Sequence, residues 1–194
     1  MRLGVDVSEY QRGIDLDGLD FAVIRTTDGD YRDTAFPEHA AAAGAAGLDI
    51  AAYHFLRAPS EGTPVAAQVE ASVAVLGAFR PPMWLDVESP AGLSLADVRA
   101  AHRCFTAAGV EVAGVYTTAS YWRRHMLLAD PREFGQLWLA AWGDNPAVDL
   151  SAPGYGIPAT SAWPHPLGLP TPSMWQFTSR GLIGGVEVDL NLAL

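Results

Sequence analysis

Two carboxylates two residues apart end an apolar run, Met-Trp-Leu-Asp-Val-Glu at 83–88. In a strand, residues i and i+2 share a face with Cβ atoms about 6–7 Å apart, so Asp86 and Glu88 point the same way. Carboxyl groups that close repel, which raises the pKa of one of them. Trp84 on the same face adds desolvation. The expected product is a protonated Glu88 beside an ionised Asp86, the division of labour that glycoside cleavage needs. Ser-Pro-Ala-Gly follows directly, so Glu88 lies at the strand's end. A satisfied polar network or a divalent-cation site fits the same pair.

Two further segments repeat the oddity. In Leu-Gly-Val-Asp-Val-Ser at 3–8, Gly4, Asp6 and Ser8 oppose Leu3, Val5 and Val7. In Val-Glu-Val-Asp-Leu-Asn at 186–191, Glu187, Asp189 and Asn191 oppose Val186, Val188 and Leu190. Strands of a parallel sheet covered on both faces should read almost wholly apolar. Acids placed there break a local rule, as functional sites do. In a barrel they would point inward near the strands' C-terminal ends, where barrel enzymes keep their active sites. Aromatic residues in the other strands (Tyr53, Tyr116, Trp138, Trp142, Trp175) offer faces for sugar rings, with core packing the plainer role for any one of them. His54 reads as a packed strand histidine, and the single cysteine, Cys104, as inert helix packing. No second histidine sits at metal spacing, and neither a Gly-Xaa-Ser-Xaa-Gly elbow nor a phosphate loop is present.

The elements that must carry these residues alternate. Candidate strands are 3–7, 21–26, 48–55, 83–88, 112–117, 137–142, 174–178 and 186–190, each short and rich in β-branched or aromatic residues. Candidate helices are 35–46, 63–77, 94–108 and 120–128. The second opens on Thr63 and Pro64, with Pro in the first turn; the third opens Ser-Leu-Ala-Asp, a capping box with Asp97 in the place of Glu. A full eight-fold barrel needs about 250 residues, and this chain has 194. The expectation is an α/β fold: a compact, flattened (β/α) barrel of about eight strands with fewer helices than a full TIM barrel. One catalytic domain would span 1–194. Residues 143–172, proline-rich and aperiodic, read as a long surface excursion beside the site, with a plain linker as the alternative.

Composition narrows the partners. Twelve basic residues against 22 acidic give a net charge of −10, which argues against nucleic acid or an anionic membrane surface. Charged residues make up 18%, and no run approaches 18 apolar residues, the length of a membrane span. The N-terminus enters a strand at once, without an apolar signal region. The chain is therefore expected to stay where it is made, to leave by phage-lysin-type release, or to have lost an export signal. A monomer without cofactor or metal is expected.

The quoted segments fall into a known order. Gly-Val-Asp-Val-Ser-Glu-Tyr-Gln at 4–11 is followed by Phe-Ala-Val-Ile-Arg-Thr-Thr-Asp-Gly at 21–29, Ala-Tyr-His-Phe at 52–55 and Trp-Leu-Asp-Val-Glu at 84–88. Then come Gly-Val-Tyr-Thr at 114–117, Leu-Trp-Leu-Ala-Ala-Trp at 137–142, Trp-Gln-Phe-Thr-Ser at 175–179 and Val-Asp-Leu-Asn at 188–191. Together they resemble glycoside hydrolase family 25, the Chalaropsis-type muramidases (lysozymes). Only about 143–172 lies outside the pattern.

That resemblance implies a compact barrel and hydrolysis of the β-1,4 bond between N-acetylmuramic acid and N-acetylglucosamine in peptidoglycan. It matches Glu88 to the proton donor, Asp86 to its partner carboxylate, and Asp6 and Asp189 to the outer aspartates of the groove. Tyr53 and Tyr116 match tyrosines near the cleavage site; Trp138, Gln176 and Arg25 lie in matched segments and join them as candidate substrate-binding residues. The expected mechanism uses the sugar's own N-acetyl group, with direct water attack as the fallback. Arg25 stands where the family usually has Lys, which keeps the charge but not the compact ammonium, and Asp28 stands where it has Glu. The rivals are a non-catalytic glycan-binding or structural domain, hydrolysis of another N-acetylated polysaccharide, and a metal-dependent deacetylase or phosphodiesterase.

Overall fold

A computed structural model describes every residue of 1–194 except Leu128, Pro153 and Tyr155. In chain order the elements are β1 (Arg2–Val7), β2 (Phe21–Asp28), β3 (Tyr31–Arg32), α1 (Phe36–Ala45), β4 (Asp49–Phe55), α2 (Val65–Leu76) and β5 (Met83–Asp86). There follow α3 (Leu95–Ala107), β6 (Val112–Thr118), α4 (Ala119–His125), β7 (Gln136–Ala140), β8 (Val148–Asp149), β9 (Met174–Ile183) and β10 (Val186–Ala193).

Eight strands close on themselves in the order β1-β10-β9-β7-β6-β5-β4-β2, with β2 returning to β1. Every pairing from β1 through β2, β4, β5, β6 and β7 to β9 is parallel. β10 runs antiparallel to both its neighbours. The expected barrel is present, as a mixed one. The reversal corrects one expectation. Asp189 lies opposite Asp6 in mid-strand, and reaches the C-terminal mouth because β10 enters there. Alternation in sequence shows which side chains share a face and is blind to strand direction.

The four helices fall where periodicity puts them, their bounds displaced by one to three residues. Ser94 caps α3: its side chain accepts from Asp97 N, and Asp97 Oδ2 accepts from Ser94 N at 2.9 Å. Such a cap contributes about 1 kcal/mol. Pro64 is the residue before α2 rather than its first turn. The last helix ends at His125; the expected end, Leu128, lies outside the described residues. Strand β5 stops at Asp86 instead of Glu88 because β4 ends at Phe55, and the chain turns into Pro59–Glu61.

The helices cover one side of the barrel, between β3 and β7. On the other side the excursion serves as cover. β8 pairs with β9, and Trp163 packs edge-on to Trp175, ring centroids 5.8 Å apart, its Nε1 donating to Pro172 O at 2.9 Å. The 143–172 segment is thus partly structural rather than wholly a surface loop. Inside the barrel, Phe21, Val23, Trp84, Tyr116, Trp138, Ala140 and Met174 form a separate apolar plug. Gly4 lets it close: a Cβ there would lie 2.5 Å from the Phe21 ring.

Candidate active site

The plug fills the lower barrel and leaves the acids above it at the mouth. β1 delivers Asp6, β5 delivers Asp86, and β10 delivers Asp189. Glu88 lies two residues past β5, where its neighbours are clamped. Val87 N donates to Tyr116 O at 2.8 Å, and Thr117 Oγ1 donates to Val87 O at 2.8 Å. On the other side Ser89 Oγ donates to Glu61, and Tyr121 OH donates to Ser89 O at 2.9 Å. The segment past the strand's end is thus hydrogen-bonded on both sides.

All four carboxyls are pushed up, chiefly by burial. Glu88 rises from 4.5 to about 7, with the charge of Asp6 as second cause. Asp86 rises well above its usual value through burial, then through Glu88 and Asp6. Asp6 rises to about 6, held back by hydrogen bonds from Asn191 and Gln176. Asp189 rises to about 8 through burial and then the charge of Asp6. The sequence reading has Asp86 ionised beside a protonated Glu88. Here Asp86 is buried and Glu88 half-buried, and burial pushes both carboxyls up. Asp86 Oδ1 is buried without a hydrogen-bond partner among the described residues.

A connected set of hydrogen bonds joins the outer pair. Gln176 Nε2 donates to Asp6 Oδ2 at 2.9 Å and to Asp189 Oδ2 at 3.1 Å. Asn191 Nδ2 donates to Asp6 Oδ2 at 2.7 Å. Tyr116 OH and Trp142 Nε1 donate to Gln176 Oε1 at 2.9 and 2.8 Å, and Trp138 Nε1 donates to Asn191 Oδ1 at 2.8 Å.

The structure therefore gathers Glu88, Asp86, Asp6, Asp189 and Tyr53 at one mouth, with Tyr116 at the top of the plug directly beneath them, 6% exposed. Tyr53 stays half-buried, its ring 6.4 Å from Trp138, and its hydroxyl has no hydrogen-bond partner among the described residues. Three candidate substrate contacts sit one layer behind. Trp138 is 1% exposed, wedged against Trp84 and Tyr116. Gln176 is 1% exposed and bonded at both ends of its amide. Arg25 is 8% exposed and taken up by Asp33 at 2.8 Å and Glu9 at 3.2 Å. Strand alternation gives the face of a residue but not its depth, and the closed barrel sets these three back from the opening. His54 is on the helix side, fully buried against Phe105, its pKa lowered to about 3 by burial, with Nδ1 2.6 Å from Thr27 Oγ1.

The rim carries three aromatic rings, of which the sequence reading offered Trp142 as a face for a sugar ring and left out Tyr10 and Tyr31. Tyr10, 77% exposed, lies over the Arg25 guanidinium at 5.3 Å. Tyr31 donates to Glu9 Oε2 at 2.8 Å. Trp142, 40% exposed, follows β7. Tyr10 stands inside the matched 4–11 segment, and Trp142 in the matched 137–142 segment. Each follows a strand that ends at the mouth, and that position was the available signal.

Comparison with known proteins places this arrangement. The chain is 31% identical to Lysozyme M1 of Streptomyces globisporus, over 97% of this chain and 65% of that protein. It therefore spans about two thirds of that relative's length. Among solved structures, a family GH25 lysozyme from Aspergillus fumigatus superposes with a TM-score of 0.71 at 24% identity, covering 100% of this chain and 93% of that one. A muramidase from Acremonium alcalophilum gives 0.72 at 22% identity, covering 100% and 94%. These likenesses show the fold. A model of the family described as glycosyl hydrolases family 25 matches residues 5–186, a stretch that runs from β1 into β10 and holds Asp6, Asp86 and Glu88. By that match, which spans most of the chain, the chain belongs to glycosyl hydrolases family 25.

Proposed function

We propose that this chain is a peptidoglycan hydrolase that cuts the β-1,4 bond between N-acetylmuramic acid and N-acetylglucosamine. The family membership and the lysozyme and muramidase relatives support the substrate class. One observation carries the residue roles: Glu88 meets the mouth as a half-buried carboxyl with its pKa raised to about 7, beside a buried Asp86 oxygen without a hydrogen-bond partner among the described residues.

A glycan strand lies across the mouth, against Tyr10, Tyr31 and Trp142. Protonated Glu88 gives its proton to the glycosidic oxygen as the bond to C1 breaks. The oxygen of the 2-acetamido group closes on C1, and the N–H of that group donates to Asp86 Oδ1, an acceptor in either protonation state of the carboxyl. Water then attacks C1, returns a proton to Glu88 and reopens the acetamido ring. A general acid of this kind contributes about 10²–10⁴-fold, and its best pKa lies near the working pH. Substrate assistance is a known departure from the two-carboxylate scheme. The site of action is then the bacterial cell wall.

Glu88→Gln tests this on purified cell walls. Turnover should fall at least about 10³-fold while near-ultraviolet circular dichroism and melting stay those of a folded protein. Mass spectrometry of the wild-type digest should find N-acetylmuramic acid at the reducing end. Wild-type turnover by the variant would remove Glu88 from its role. Reducing-end N-acetylglucosamine would change the bond, and binding without release of reducing ends would leave a glycan-binding domain. Inverted products, read by proton NMR, would replace substrate assistance by direct water attack.

A further inference from the structure

Asp6 and Asp189 face each other across the β1–β10 ladder, and their hydrogen-bond donors are unequal. Asp6 Oδ2 receives two N–H groups, from Gln176 and Asn191. Asp189 Oδ2 receives one, shared from Gln176 at 3.1 Å. The amides cannot turn round. An indole N–H is a donor only, so Trp142 fixes Oε1 of Gln176 toward itself and Trp138 fixes Oδ1 of Asn191. Tyr116 adds a second donor to Gln176 Oε1. The nitrogen ends then have to face the aspartates.

We propose that Gln176 and Asn191, locked by the two indoles, are positioning residues that place the negative charge on Asp6 and leave the shared proton on Asp189. Hydrogen bonds to the charged form of a carboxyl favour that form, and the pair titrates as a unit. Asp189, protonated, donates to Asp6. The charge so placed faces Glu88, whose proton it helps to retain. The other ionisable groups around Glu88 are Asp86 on β5, Tyr116 on β6, Tyr121 on α4, Asp189 on β10 and, across Ser89, Glu61. Arg25 and Asp28 on β2 act on the same cluster through Asp86, and Tyr53 on β4 borders it. The cations nearby, Arg25 and Arg57, are each taken up by other acids, Arg25 by Asp33 and Glu9 and Arg57 by Asp28 and Glu61, and neither pairs with Asp6 or Asp189 among the described residues. The placement of the proton therefore rests with the amides.

Catalytic use of that charge rests on the role proposed for Glu88; the placement of the charge does not. The test therefore begins without substrate. Carboxyl carbons are titrated by carbon-13 NMR in wild type, Gln176→Met and Trp142→Phe. In wild type Asp6 should ionise before Asp189. Gln176→Met, which keeps the volume and removes the donor, should raise the Asp6 midpoint by about one pH unit and lower that of Glu88 by about half a unit. Trp142→Phe keeps a ring at the rim and frees the amide to turn, so it should shift both midpoints in the same directions by less. It also decides the matter if Gln176→Met fails to fold. The alkaline limb of kcat/KM on cell walls should follow the Glu88 midpoint downward, while KM changes less than about twofold in Gln176→Met. Midpoints of Asp6 and Glu88 within about 0.2 of wild type in the folded variants would overturn the proposal. A wild type that titrates in the stated order but cuts no cell wall would overturn the muramidase reading and leave the charge placement standing.

Discussion

The mouth of the barrel holds two kinds of acid within a few residues of each other. On the wall, Asp33 and Glu9 are bound to Arg25, and Asp28 and Glu61 to Arg57. On the floor, Asp6, Asp86, Glu88 and Asp189 form no ion pair with an arginine among the described residues. Residue type is the same and strand position nearly so. A neighbouring guanidinium takes up a wall acid's oxygens in charge-assisted hydrogen bonds and makes it structural. Burial without a cation raises the floor acids and leaves them holding protons that can be moved. The contrast shows that at this mouth pairing, more than identity or location, separates a carboxyl that holds the fold from one that can act as acid.

Removing a floor acid should give the largest effect, and of opposite sign on activity and stability. Asp86→Asn should lower turnover on cell walls by about 10³-fold and raise the melting temperature at neutral pH. The sign follows from proton counts. Glu88 is raised from 4.5 to about 7 and Asp6 from 3.8 to about 6, so between about pH 4 and 7 the native state binds more protons than the unfolded chain. Stability then falls as pH rises through that window. Each unit of difference is about 1.4 kcal/mol, which makes the wild-type loss on the order of several kcal/mol between pH 5 and 8. Asp86→Asn removes one buried acid and should flatten the curve. Thermal melts across pH 4–8 read this out; a wild type most stable at pH 8 would break the comparison.

A wall acid should behave in the other way. Asp33 is fully buried and accepts from Arg25 Nε at 2.8 Å, from Glu9 N at 3.1 Å and from Ala35 N at 2.8 Å. Asp33→Asn leaves a buried guanidinium with only the more distant Glu9. Breaking one partner of a buried pair costs about 3–5 kcal/mol, and the remaining Glu9 should keep the loss nearer about 2. Urea unfolding measures it. Turnover per folded molecule should change less than about fivefold, since Asp33 does not touch the floor acids.

Much of this division was legible in the sequence. Eight strands, four helices and the four floor acids follow from alternation, capping signals and acids in apolar runs. Pairing was not legible, because Arg25 meets Asp33 through a hairpin and Glu9 through a turn after β1. Depth was not legible either: Trp138 and Gln176 share the inward face with Tyr116, yet only the closed barrel puts them behind the cleft. The two-residue strands β3 and β8 carry no period that a sequence pattern could reveal. The packing of Trp163 on Trp175 joins an aperiodic segment to a strand, and nothing in the residue types of the excursion points to that contact.

The smallest effect should come from the outer wall pair. Asp28 accepts from Arg57 Nε at 2.5 Å and Nη2 at 2.8 Å, but both side chains remain about a third exposed. Arg57 keeps Glu61 and its position over the Phe55 ring, 4.6 Å from the centroid, when Asp28 is neutralised. Pairs this exposed are screened by solvent and contribute under about 1 kcal/mol. Asp28→Asn should therefore lower the urea midpoint only slightly, and the difference from wild type should shrink in 1 M salt, where the Debye length is about 3 Å. Asp33→Asn should keep most of its loss in the same salt, because its guanidinium is buried. If both variants lost the same stability, and salt changed both alike, burial would not be what grades the wall, and the boundary drawn between wall and floor would have to be redrawn on another ground.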